Sequence, residues 1–330
     1  MPAPSLTVVT PVFNEAAELP QTIDALARAL ERSPFEAELL LVDDGSSDGS
    51  AGVASAAARG RLPLRSISQR NRGRFEARRA GVEAAEADWV LLLDGRVRIR
   101  PDALAYVARE LDAGRHVWTA HVEVDSEGNR YGEFWKLLAE LAWADYFADP
   151  RDTSFGVDDF DRYPKGTTCF LAPRVLVAEA IAAFRSSYED TRHANDDTPL
   201  IRWIAERERI NVSPQFACDY RPRTTLAAFM RHSFHRGVVF LDGHGRVESR
   251  FFPAAAAFFP LSAAVALGSL RRPGVAVWSA AAAGGGAAAL GLARRRSPEE
   301  IRTLALLAPL YAAAHGAGMW RGLALSRLRR

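Results

Sequence analysis

Along the first 220 residues, short apolar runs alternate with amphipathic stretches, and turns rich in Gly, Ser and Asp separate them. Ser5 to Thr10, Ala37 to Val42, Leu64 to Ser68 and Trp89 to Leu93 read as strands. Between them, Glu15 to Arg32, Ser50 to Arg59 and Phe75 to Ala87 read as helices, the first with Leu19, Ile23, Leu26 and Leu30 at near-helical spacing. This rhythm predicts an α/β fold, a mostly parallel sheet with flanking helices. Further on, Pro101 opens a helix to Leu111, since a proline suits the first helical position. Val117 to Val124 alternates like a strand, and Glu133 to Phe147 reads as an amphipathic helix with a heavy aromatic load. Gly166 to Leu171 reads as a strand, Pro173 to Phe184 and Thr198 to Arg207 as helices, and Ile210 to Asp219 as an edge strand. No internal repeat is present.

At about Arg250 the pattern changes. Phe251 to Leu270 and Pro273 to Ala293 each run for the length of a bilayer crossing without a charge. A third run, Thr303 to Trp320, is shorter and contains His315. The division expected is residues 1–240 as the α/β domain and 241–330 as a C-terminal membrane-associated helical region. The positive-inside rule suits Arg294 to Arg296 on the cytosolic face but leaves Arg271-Arg272 outside after one crossing. A tight hairpin with snorkelling arginines, or a segment lying in the interface, relieves that conflict.

Composition adds little to this picture. The 330 residues are 48% hydrophobic, enough for a sizeable core, and 42 basic side chains nearly balance 40 acidic ones. No nucleic-acid partner is expected. Cys169 and Cys218 stand far apart without metal-site spacing, which fits a reducing compartment and no disulfide framework. The first apolar run is too short for a signal peptide's core.

The chemistry concentrates where the strands end. Glu38-Leu39-Leu40-Leu41-Val42 runs into Asp43-Asp44-Gly45-Ser46-Ser47-Asp48, Ser5 to Thr10 into Pro11-Val12-Phe13-Asn14-Glu15, and Trp89 to Leu93 into Asp94-Gly95-Arg96. Open α/β sheets bind ligands at the carboxyl ends of their strands, so polar groups delivered there imply a nucleotide-binding edge. Asn71-Arg72-Gly73 and Ala77-Arg78-Arg79-Ala80-Gly81 follow. In this order and spacing, over roughly residues 5 to 240, the chain resembles the family-2 glycosyltransferases of the GT-A fold, of the membrane-anchored bacterial kind.

That resemblance implies roles for particular residues. Pro11 and Glu15 belong to the substrate-binding turn. Asp44 accepts from a ring N–H of the nucleobase, and Asp43 either shares this or orients the ribose. Arg78 meets the base or the diphosphate. The family's usual Asp-x-Asp holds Mg²⁺ or Mn²⁺ against the diphosphate, but here the triplet is Asp94-Gly95-Arg96. Either Asp94 keeps a metal through one carboxylate plus water, or Arg96, with Arg98, neutralises the diphosphate directly. Asn195-Asp196-Asp197-Thr198-Pro199-Leu200 resembles the family's acidic pair ahead of a helix. Asp197 takes the place of the catalytic base and Asp196 supports it or binds acceptor. The rival reading makes both plain helix caps, and Glu189-Asp190-Thr191 is a competing pair. Arg231-His232-Ser233-Phe234-His235-Arg236-Gly237 is similar to a basic-aromatic segment in which Arg231 or Arg236 takes phosphate.

The function implied is inverting transfer from a UDP- or GDP-linked sugar to a lipid-linked or surface glycan, at the inner (cytoplasmic) membrane with the catalytic domain facing the cytosol. Two rivals stand beside it: a non-catalytic sugar-nucleotide-binding scaffold, for which Arg96 speaks, and a nucleotidyltransferase, which also sets acids on a strand edge.

Overall fold

Leu6, Val8 and Val12 on the first strand share one sheet face with Leu39 and Leu41 on the second and Leu91 and Leu93 on the fourth, and all are buried. The intervening Val9, Leu40, Val42 and Leu92 are buried as well. Burial of both faces is why these strands read as continuous apolar runs. The computed structural model describes residues 3–245, 247 and 249–327. The strands are β1 Ser5–Val12, β2 Glu36–Asp43, β3 Leu64–Ser68, β4 Trp89–Leu93, β5 Val97–Ile99, β6 Trp118–Thr119, β7 His121–Val124, β8 Thr153–Phe155, β9 Cys169–Pro173, β10 Ile210–Val212 and β11 Ala217–Tyr220. The helices are α1 Leu19–Glu31, α2 Ser50–Ala58, α3 Arg74–Ala84, α4 Ala103–Asp112, α5 Arg130–Ala142, α6 Ala144–Ala148, α7 Arg174–Ala183, α8 Thr198–Ala205, α9 Leu226–His244, α10 Phe252–Arg271, α11 Gly274–Ala293 and α12 Pro298–Arg327.

The chain forms two compact units. The first comprises the chain up to Asp125, Trp143–Arg185 and Asp196–Arg221; the second comprises Ser126–Ala142, Ser186–Asn195 and the chain from Pro222 on. In the first unit an eight-stranded sheet has the order β3-β2-β1-β4-β9-β6-β10-β8, and β5-β11-β7 form a smaller sheet. β1 pairs in parallel with β2 and β4, and β2 with β3, so the carboxyl ends of these strands share one edge. β9 runs antiparallel between β4 and β6. Pro11 is tolerated in this central strand because the β4 pairing ends at Val9, so its missing N–H costs no ladder bond on that side. Helix α3 lies directly on the sheet: a Cβ on Gly81 would sit 2.3 Å from Val9 Cγ1.

Several elements differ from the sequence reading. The first helix starts at Leu19 rather than Glu15, because Asn14 takes a left-handed conformation (φ 55°) and Glu15 turns back to accept from Glu18 N at 3.0 Å. The strand expected over Val117 to Val124 divides into β6 and β7. Ala120 N donates to Cys169 of the large sheet, while His121 N donates to Phe216 beside the small one. Ile210 to Asp219 likewise divides into β10 and β11 around a turn at Ser213–Phe216. The helix expected over Glu133 to Phe147 breaks at Trp143, whose φ of −124° and ψ of 47° leave the helical region. Both cysteines are buried and unbonded.

In the second unit, Phe134 and Leu137 of α5, Phe229 of α9 and Leu304 and Leu307 of α12 form a buried cluster. Helices α10 and α11 are long and apolar enough to cross a membrane, by length and composition, and little of either is buried. The third apolar run falls inside the longer α12. Arg296, last of the arginine triplet, is ion-paired with Glu140 and Glu300. The arginines at 329 and 330, part of the basic C-terminus, lie outside the described residues.

Candidate active site

Acids from two distant parts of the sequence, Asp94 and the adjacent Asp196 and Asp197, meet on one guanidinium. Arg78, one turn into α3 and only 3% exposed, contacts Asp94 Oδ1 through Nη2 at 2.6 Å. Its Nη1 contacts Asp197 Oδ1 at 3.2 Å and also pairs with Asp196. Arg74, one turn earlier and half-exposed, pairs with Asp196 at 3.0 Å and approaches Asp197 at 3.7 Å. Burial opposes the charge on Arg78, but Asp196 and then Asp94 hold it protonated, with a net upward shift. Asp196 likewise raises Arg74 well above its ordinary value. Three carboxylates against two guanidiniums leave one formal negative charge. Removing one partner from such a buried network strands an uncompensated charge, so the cluster holds its geometry tightly.

Asp197 stands at the N-cap position of α8, yet its side chain makes no capping hydrogen bond. It accepts instead from the hydroxyl of buried Thr167, and it is 23% exposed. Glu189-Asp190 behaves otherwise: Asp190 accepts from Arg192 N at 3.1 Å and pairs with the Arg192 guanidinium, a local cap in the second unit. Thr167 and Arg74 were not singled out from the sequence. Nothing marked Thr167, whereas Arg74 stands one helical turn before Arg78, a spacing that would have revealed it.

The first two turns of the carboxyl edge are knitted together. Asn14 accepts from Ser47 N at 2.8 Å, Asn14 N donates to Ser46 Oγ at 3.0 Å, and Asp43 accepts from Ser46 N at 2.8 Å. Asp43 is half-buried. Asp44 is 4% exposed and accepts from Gln69 Nε2 at 2.7 Å, Arg72 N at 2.8 Å and Gly73 N at 2.9 Å. Three of its roughly four acceptor positions are thus taken by the loop that leads into α3.

Arg96 does not point into solvent. Its Nε lies 2.6 Å from Glu15 and its Nη1 3.5 Å from Glu18, while Thr22 donates to Gly95 O at 2.9 Å. Burial opposes its charge, and Glu15 and then Glu18 more than restore it. The Asp94-Gly95-Arg96 turn is thereby strapped to the start of α1. Among the described residues no group of three or more acids, histidines or cysteines is arranged to hold a metal ion. Asp94 is engaged by Arg78, and a guanidinium stands where a second acid would complete a clamp. These side chains do not fit a two-carboxylate divalent site. Arg231 and Arg236 are exposed on α9, in the second unit.

Residues 7–167, just under half of the chain, match the family model described as Glycosyl transferase family 2. The chain is similar to the undecaprenyl-phosphate 4-deoxy-4-formamido-L-arabinose transferase of Proteus mirabilis (strain HI4320), 34% identical over 114 residues, 34% of this chain and 35% of that protein. With the protein of the same description from Pseudomonas fluorescens (strain SBW25) the identity is 32% over 143 residues, 43% of this chain and 42% of that one. The match therefore spans well under half the length of these curated relatives. Among solved structures, the mannosyltransferase PcManGT of Pyrobaculum calidifontis, in complex with GDP-Man and Mn²⁺, superposes with a TM-score of 0.58 at 17% identity, over 96% of this chain and 87% of that one. S. aureus TarS 1–349, in complex with UDP-GlcNAc, gives 0.51 at 16% identity, over 72% and 67%. At such identities the likeness establishes the fold, GT-A, and no more.

Proposed function

We propose that the chain is an inverting glycosyltransferase that moves a sugar from a nucleoside-diphosphate sugar to a hydroxyl of a lipid-linked or surface glycan. An acceptor oxygen attacks the anomeric carbon, the bond from that carbon to the diphosphate breaks, and the acceptor's proton passes to Asp197. The observation that carries this reading is the placement of Asp197: partly open, and sharing one guanidinium with Asp94 of the strand edge. Asp44 meets the nucleobase with its remaining acceptor position while bracing the loop that starts α3, and Asp43 shares this contact or orients the ribose. The donor's diphosphate competes with Asp94 and Asp197 for Arg78, and a carboxylate relieved of its guanidinium is the stronger base. Asp196, almost fully buried, keeps Arg74 and Arg78 aligned. Arg231 or Arg236 receives acceptor phosphate.

Helices α10 and α11 anchor the protein in the cytoplasmic membrane with the catalytic unit on the cytosolic side, which brings the reaction to a lipid-linked acceptor. The descriptions of the curated relatives favour a second reading of the acceptor, a polyprenyl phosphate. A phosphate monoester is already anionic near neutrality and needs no base. Purified protein is incubated with UDP- and GDP-linked sugars and either a glycolipid or a polyprenyl phosphate, and products are identified by mass spectrometry. Nucleoside diphosphate and a sugar added to the glycolipid hydroxyl are expected. Sugar on the polyprenyl phosphate selects the second reading, and pyrophosphate or no turnover rejects both.

A further inference from the structure

We propose that the pocket beside α6 is a subsite for one uncharged sugar ring of the acceptor glycan, an inference that rests on the reading of the chain as a transferase to a glycan hydroxyl. Every residue of the pocket belongs to the first unit.

The pocket has a volume of about 170 Å³ and lies among α6, the start of β8 and the turn Phe160–Arg162. A cavity of about 150 Å³ admits a benzene ring, so this one has room for a single six-membered ring. Tyr146, 5% exposed, and half-buried Tyr163 supply its aromatic wall. Tyr163 is stacked on buried Phe155, with centroids 5.3 Å apart and planes 11° off parallel, and it meets Tyr146 edge to face at 6.2 Å. The Tyr146 hydroxyl lies 2.8 Å from His121 Nδ1. Burial pushes the Tyr146 phenol up, so it stays neutral. Both rings are held by these neighbours, which lowers the ordering cost of binding a ligand against them.

The rest of the lining sets Asp145 and Asp149 beside Arg151 and Arg162, two carboxylates and two guanidiniums without net charge. Asp149 and Arg151 approach to 3.7 Å, but both are more than three-quarters exposed, so their pairing is weak and leaves them open to a ligand. A phosphate would meet the two carboxylates and a divalent cation the two guanidiniums, so charge selects against both. A sugar ring uses such a lining in full. Carboxylates accept from neighbouring hydroxyls, guanidinium forks donate to hydroxyl or ring oxygens, and an aromatic ring covers the C–H face. The position suits an acceptor. β10 runs parallel to β6, β6 antiparallel to β9, and β9 antiparallel to β4, so the carboxyl end of β10 lies on the same edge as Asp94. Thr153, which lines the pocket, pairs with Val212 at that end. Tyr163 and Thr167 share the loop that enters β9, and the Thr167 hydroxyl donates to Asp197. In the strand order the pocket stands on the β8 side of Asp94, and the nucleotide turns after β1 and β2 stand on the other.

The test uses the full-length protein in a detergent with no sugar headgroup, with UDP or GDP present to fill the donor site. The probes are the methyl glycosides of glucose, galactose, mannose and N-acetylglucosamine, with inorganic phosphate as the anionic control, and binding is read by saturation-transfer NMR titration. At least one glycoside is expected to bind in the millimolar range. Asp149→Asn and Arg162→Gln, both at exposed positions, should each weaken it by about fivefold or more, the scale of a hydrogen bond to a charged group, with Tm unchanged. In transfer to the glycolipid, the same variants should raise the acceptor KM by a similar factor and leave the donor KM as in the parent. No glycoside bound, phosphate bound in place of a glycoside, or equal glycoside affinity in the parent and both variants would each overturn the proposal. A parent that transfers sugar to the glycolipid yet binds no glycoside refutes the subsite and leaves the transferase reading intact. Glycosides bound through Asp149 and Arg162 by a protein that transfers nothing would keep the sugar site and reject that reading.

Discussion

Arg96 occupies the place where an Asp-x-Asp would carry its second acid, and its guanidinium is spent on Glu15 and Glu18. A single carboxylate and a nearby cation make a poor site for a hard divalent ion, which gathers anionic oxygens. Arg96→Asp restores the acid and also frees Glu15. Its affinity for Mn²⁺ in the presence of UDP or GDP, measured by titration calorimetry, should rise at least tenfold over the parent. Equal affinities would mean that the metal is governed elsewhere. At this scale much was legible. Asp94, Asp196, Asp197 and Arg78 were all marked by motif and order, and they meet. What the motif could not give is the use each group is put to. Asp44 spends three of its acceptor positions on a loop, Arg96 its guanidinium on two glutamates, and Thr167 gains its role only from the fold.

Among the elements, the parallel strands were read closely because burial on both faces leaves an unbroken apolar run. The short strands were not. β6 and β7 are adjacent in sequence but belong to different sheets, and local alternation carries no information about which partner a strand will find. β7 also brings His121 against α6: its Nδ1 lies 2.8 Å from the Tyr146 hydroxyl, and Glu123 lies 3.6 Å from Nε2. Burial lowers the pKa of His121; Glu123 opposes this, and Arg100 adds to it. A histidine whose folded pKa lies below its unfolded value of about 6.5 leaves the unfolded chain binding more protons between the two. Stability then rises with pH across that window, is fully present above it, and is lost as pH falls through it. Thermal unfolding of the parent should therefore show Tm falling as pH drops from about 6.5, and His121→Gln should flatten that slope. An identical slope in both proteins would remove His121 as the cause.

On the scale of the whole molecule, the change of composition near Arg250 foretold two apolar helices, and α10 and α11 follow those runs closely. The interleaving of the two units was hidden. Ser126–Ala142 and Ser186–Asn195 belong with the C-terminal helices although they interrupt the α/β part of the sequence, and no compositional break marks them. The central claim is likewise a claim about assembly, that acids more than a hundred residues apart act as one site with Asp197 as its base. Asp197→Asn tests it most directly, with transfer rate and nucleoside-diphosphate affinity measured on the same preparation. The account predicts transfer lower by about 10²- to 10⁴-fold, the usual worth of a general base, with affinity for the nucleotide retained. Transfer near the parental rate would contradict it.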